Sequence, residues 1–178
     1  MGMSWNPEER EILEALDTAL RDPAIFPVLD SIASRVVQNL QRDPSALLAW
    51  DTVPRHLYQG QLPQMILSSW VFVLRAGAIT GAERHPNSHQ RMMSWRGNGD
   101  FQVWYQDKWR SHCLLSDPDA ALERRWVSIP VNVWHQAVVP ASDWVVVSFH
   151  TVPAEELIEE RPDPADEGKT HQRLYVFM

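Results

Sequence analysis

The chain has 178 residues and a mass of 20.5 kDa, with 44% hydrophobic and 22% charged residues. That is the makeup of one folded domain with at most a short accessory segment, and it excludes wholesale disorder. A formal charge of −7 argues against nucleic acid and anionic membrane surfaces as partners, since both need a cationic face. The single cysteine, Cys113, excludes a disulfide framework and a multi-thiolate zinc site, suits a reducing cytoplasm, and reads as a small buried residue. The stretch Met1 to Glu9 has neither the basic nor the apolar region of a signal peptide, and no apolar run reaches the roughly 18 residues of a membrane helix.

Residues 1–55 read as a helical segment. Asn6 is a good N-cap, Pro7 takes the first helical position, and Glu8 and Glu9 favour the positive end of the dipole. Ile12, Leu13, Leu16, Ala19 and Leu20 share one face, and Asp22-Pro23 ends the helix. A second amphipathic helix carries Val28, Leu29, Ile32, Val36, Val37 and Leu40, and ends near Asp43-Pro44. A short third helical turn is expected from Ser45 to Trp50. These helices read as a cover or a homodimer contact.

Residues 56–152 change to short apolar runs and period-two patterns. The spacing predicts strands over 65–74, 91–96, 101–106, 109–115, 126–129, 135–139 and 144–152, with Gly97-Asn98-Gly99-Asp100 turning a hairpin. So many short strands without intervening helices predict a mainly β sandwich or barrel. Residues 153–178 are expected to form an acidic, proline-containing linker followed by a C-terminal edge strand from Leu174 to Met178.

The chemistry-bearing residues cluster. Glu83 and His85 are two apart, so on an extended strand both point the same way. His135 and His150 come from later strands and complete a barrel interior with nitrogen and oxygen donors. Two histidines and one carboxylate suit Fe(II), Mn(II), Zn(II) or Ni(II), and form the ligand set of non-haem Fe(II) oxygenases. Trp95, Trp126, Trp134 and Trp144 serve either a pocket lining or core packing. The bland alternatives are core histidines, and Glu83 paired with Arg84 or Arg91.

Glu83-Arg84-His85, Gln90 and Gly97 have the spacing of the first metal-binding motif of the cupins, and Pro130-Val131-Asn132-Val133-Trp134-His135 resembles the second. Glutamate stands for the usual first histidine, glutamine for the usual glutamate, and Asn132 for a glycine that asparagine can replace at positive φ. Within that superfamily, Glu83-Arg84-His85-Pro86-Asn87-Ser88-His89, with Ser148 and His150 after His135, is similar to cysteine dioxygenase and related thiol dioxygenases. Val152 stands where those have a tyrosine. The resemblance implies a double-stranded β-helix (jelly-roll) barrel with an N-terminal α-helical segment. It implies a divalent metal, Fe(II) ahead of Zn, Ni or Mn, held by Glu83, His85 and His135, with Gln90 completing the set or hydrogen-bonding to bound water. His150, Ser148 and His89 are then the outer or substrate-facing groups, and the activity is dioxygenation of a small molecule, thiols such as cysteine included. The alternatives are a non-catalytic metal- or ligand-binding barrel, and a Zn- or Mn-dependent isomerase or hydrolase.

Overall fold

The computed structural model describes residues 5–177. What the sequence suggests for Met1–Ser4 and Met178 falls outside those residues. The elements in order are α1 (Pro7–Arg21), α2 (Phe26–Arg42), β1 (Leu48–Thr52), β2 (Ser68–Leu74), β3 (Gln90–Arg96), β4 (Asn98–Tyr105), β5 (Lys108–Arg110), β6 (Cys113–Leu115), α3 (Leu122–Arg125), β7 (Trp126–Ile129), β8 (His135–Val138), β9 (Trp144–His150), β10 (Ile158–Pro162) and β11 (Thr170–Leu174). All pairings between strands are antiparallel.

One sheet runs β1-β2-β9-β3-β7; the other runs β5-β4-β6 with β8 also on β4. The chain changes sheet between β3 and β4, between β6 and β7, between β7 and β8, and again between β8 and β9. That is the jelly-roll barrel expected from the sequence, with the helical segment on the outside. Alternation explains why β2 and β9 are buried along their whole length. Val71, Val73, Met93, Val145, Val147 and Phe149 face outward and pack under Leu13, Leu16, Leu29, Ala33 and Val36 of the two helices. Trp70, Phe72, Leu74, Met92, Trp144 and Val146 face inward and fill the barrel with Phe101, Val103 and Leu114 of the second sheet. Asn6 caps α1 as expected, its side chain accepting from Glu9 N–H at 2.7 Å.

Several expectations fail for local reasons. Ser45 to Trp50 is no helical turn: Leu48–Thr52 is an edge strand, its residues paired one for one with β2. Asn98-Gly99 turns no hairpin, because β3 and β4 lie in different sheets and Gly97, at φ 82°, is the corner between them. The hairpin is β4–β5, with Gln106 and Asp107 at φ 51° and 57°, the positive pair a two-residue turn demands. Cys113 is exposed, not buried, because in β6 the inward position belongs to Leu114. The segment 153–178 is not a linker: β10 and β11 pair as a two-stranded hairpin, and the chain then turns in a short 3-10 helix, Tyr175–Phe177, instead of running on as an edge strand. Asn132 does sit at φ 65°.

Gly99 is required by packing. A Cβ there would lie 2.1 Å from the Trp144 indole, whose Nε1–H donates to Ser94 Oγ at 2.8 Å and fixes the ring. Gly99→Ala is therefore expected to destabilise the fold by about 1–3 kcal/mol, the usual range for an overfilled core. Denaturant unfolding checks it, and an unchanged midpoint would show that the indole can move aside.

Candidate metal centre

Glu83 and His135 are direct antiparallel partners: Glu83 N–H donates to His135 O at 2.9 Å, and His135 N–H to Glu83 O at 2.8 Å. Opposed residues of such a pair send their side chains to one face, and His85, two residues after Glu83, returns to it. One donor atom from each of Glu83, His85 and His135 consequently lies within 4.8 Å of the other two.

Backbone carbonyls set both tautomers. His85 Nδ1 lies 2.9 Å from Ile158 O, and His135 Nδ1 lies 3.0 Å from Val133 O. A carbonyl only accepts, so each Nδ1 carries the proton and each Nε2 presents a lone pair. This is how ligating histidines are usually held from behind. His135 Nε2 is buried and has no hydrogen-bond partner, and it lies 3.5 Å from Glu83 Oε1. An unmatched buried lone pair facing a carboxylate is destabilising as it stands and is the partner a divalent cation needs, so the residues present fit a metal. Burial above all pushes the His85 pKa down to about 4, which keeps its imidazole neutral at pH 7. Burial raises the Glu83 pKa, but the charge of the paired Arg161 works against it, and the carboxyl is held well below the usual range.

Arg161 comes from β10 and pairs with Glu83 Oε2, which leaves Oε1 for a ligand. Its Nη2 also lies 2.9 Å from Oε1 of Glu159, a fully buried carboxylate whose Oε2 accepts from Arg173 Nε at 2.5 Å. Glu83 is thus held by Arg161, while Arg84 pairs with Glu160 and Arg91 with Glu9.

A hydrogen-bonded chain runs beside these three residues. Gln90 Nε2–H donates to Ser148 Oγ at 3.0 Å, and His150 has Ser148 Oγ 3.2 Å from Nε2 and Ser88 Oγ 3.2 Å from Nδ1. The His150 ring stands edge-on to His85, centroids 5.0 Å apart. Burial above all keeps His150 well below its ordinary pKa, so the ring is neutral. Gln90 Oε1 is buried without a partner. A cavity of about 40 Å³ adjoins these groups. Thr80, Glu83, His85, Gln90, His150 and Tyr175 contribute its polar wall; Leu48, Phe72, Leu74, Met92, Phe101, Ala137, Val146 and Leu157 contribute the rest.

Glu83, His85, His135, Gln90, Ser148 and His150 are therefore brought together, and His89 is not. The turn at Pro86-Asn87 breaks the extended alternation, and His89 faces away from the barrel, its Nε2 2.7 Å from Ser128 Oγ and 3.7 Å from Glu9 Oε1. It is no outer or substrate-facing group. None of the four tryptophans singled out in the sequence lines the cavity: Trp126 and Trp144 are core, Trp95 packs with the helices, and Arg84 lies over Trp134. Arg161, Glu159 and Tyr175 were not visible as site residues, because an acidic, proline-rich stretch reads as linker. The only available signal was Glu159 and Arg161 two apart, opposite Arg173.

The sequence matches no family model and no curated protein. Solved structures of similar shape include pumpkin seed globulin, 22% identical over 63% of this chain and 27% of that one, with a TM-score of 0.47. The capsular polysaccharide assembling protein CapF from Staphylococcus aureus is 14% identical over 71% of this chain and 32% of that one, with a TM-score of 0.48. An oxalate oxidase is 15% identical over 61% and 54%, with a TM-score of 0.46. The chain spans roughly a quarter to a half of the length of these proteins. Among the described residues, no helix is long and apolar enough to cross a membrane.

Proposed function

We propose that this chain is a metal-binding cupin in which Glu83, His85 and His135 hold one divalent cation, Fe(II) ahead of Mn, Zn or Ni, and that the loaded protein oxygenates a small molecule. The observation that carries the reading is the buried, unpartnered His135 Nε2 beside Glu83 Oε1, with His85 presenting a second lone pair. Glu83, His85 and His135 would hold the cation, which when bound would supply Lewis-acid and redox chemistry toward O₂ and a small substrate. The chain's own residues do the rest. Arg161, itself anchored by Glu159, fixes the Glu83 carboxylate, the carbonyls of Ile158 and Val133 fix the imidazoles, and His150 with Gln90 orients what enters. The apolar part of the wall favours an aliphatic group over water.

Thiols are the first substrates to try, on the resemblance of Asn87, Ser88, His135, Ser148 and His150 to thiol dioxygenases. One observation favours a second reading, a metal- or ligand-binding protein without turnover: Glu83 already has an ionic partner in Arg161. Oxygen uptake separates the two. Fe(II)-loaded protein is expected to consume O₂ only when a small thiol or acid from a panel is added. Retained iron with no uptake across the panel would leave the binding reading in place of the oxygenase.

A further inference from the structure

The cavity beside the three ligands measures about 40 Å³. At the ~10–15 Å³ that one water needs, this holds about three waters or a ligand of a few heavy atoms. Among the described residues no lysine and no arginine lines it; its ionisable wall groups are Glu83, His85, His150 and Tyr175. Arg161 stands outside the wall with its terminal nitrogens committed, Nη2 to Glu83 and Glu159 and Nη1 donating to Thr80 O at 2.8 Å. With the ligand's donor atom on the cation, a carboxylate at its far end would lie against the side chains of Phe72, Leu74, Met92 and Val146, where no lysine or arginine lines the wall to pair it. Burying an unpaired ion is unfavourable, whereas an aliphatic group gains from the same wall. Gln90, 6% exposed, adds an acceptor without a partner, which a neutral N–H or O–H can meet and a carboxylate oxygen cannot.

From this wall we infer that the ligand of the cavity is a small, uncharged, mostly aliphatic molecule without a carboxylate, in which a neutral donor group is tolerated at Gln90. The inference rests on the metal reading for the atom that the cation would hold, and on the cavity wall alone for the rest. It sets cysteine and other amino or dicarboxylic acids apart from what this site accepts.

Three probes of one shape test it: 3-methylbutane-1-thiol, 3-mercaptopropanamide and 3-mercaptopropionate share a two-carbon thiol arm and differ in an isopropyl, amide or carboxylate end. They are titrated calorimetrically, without O₂, into protein whose metal content has been measured. The isopropyl and amide probes are expected to bind at least about 10-fold more tightly than the carboxylate. Equal or tighter binding of 3-mercaptopropionate overturns the inference and leaves the metal reading untouched. The expected order of affinities in protein that retains no metal upholds the inference and removes the metal reading. Val146→Phe, or the milder Ala137→Val, is expected to weaken the isopropyl probe about 10-fold or more while metal content stays. Unchanged affinity in a folded variant would place the ligand elsewhere and overturn the inference.

Discussion

Replacing His135 with alanine is expected to abolish metal retention, with a loss of affinity exceeding the about 10- to 100-fold that removal of a merely supporting group costs. The argument is geometric. His135 is the residue whose ring is locked by Val133 O and whose Nε2 is buried, unpartnered and aimed at Glu83. Alanine removes the donor and leaves a void beside Phe101, whose ring stacks on His135 with centroids 5.4 Å apart. His135→Gln is the control for that void, since it keeps volume and loses the imidazole. If the site is a structural hydrogen-bonded cluster, both variants lose stability and neither changes metal content. Calorimetric metal titration beside a thermal melt separates those outcomes.

Replacing Asp17 with alanine is expected to destabilise the fold by about 3–5 kcal/mol, the cost of removing one partner from a buried ion pair. Asp17 joins α1 to the barrel: its carboxylate accepts from both terminal nitrogens of Arg125 and from Trp126 Nε1 at 2.9 Å, and pairs ionically with Arg21, whose Nε lies 3.0 Å away. Arg125 is 4% exposed and would be left buried without a counter-charge. Burial raises the Asp17 pKa, but the hydrogen bonds from Arg125 and Trp126 more than offset this and the folded-state value is depressed. The sign follows: a depressed carboxyl contributes stability that is present above its unfolded value, about 3.9, and is lost as pH falls through the lower folded value. The wild type should therefore lose stability below about pH 4 more steeply than Asp17→Asn, which has no charge to titrate. Denaturant midpoints across pH 2–7 measure both effects. A cost under about 1 kcal/mol for Asp17→Ala would mean that α1 is held by its apolar face alone.

The three proposed ligands were legible because spacing and strand parity are local properties. Glu83 and His85 share a face by period, and His135 enters through a turn whose Asn132 tolerates positive φ. The same parity misplaced His89: it is an even number of residues from His85, but the Pro86-Asn87 turn resets the alternation. What the sequence did not reveal came from pairing over distance. The strand β11 is exposed along its length, so no apolar alternation marks it, and its partner β10 is an acidic, proline-flanked run. Yet that hairpin carries Arg161 to Glu83, Ile158 O to His85, and then Tyr175 to the cavity. Edge strand β1 was hidden for a related reason: every residue is half-buried, and only its register with β2 defines it. The Asp17–Arg125 pair spans 108 residues and has no sequence signature at all.

The most direct test of the metal centre is elemental analysis by plasma mass spectrometry, on protein purified without added metal and again after anaerobic reconstitution with Fe(II). The wild type is run beside a His85→Ala/His135→Ala double variant whose fold is verified by circular dichroism. The donor set predicts about one equivalent of divalent metal per wild-type chain and none in the variant. A wild type that stays empty after reconstitution, or a folded variant that retains as much metal as the wild type, would contradict the assignment of Glu83, His85 and His135 as a metal centre.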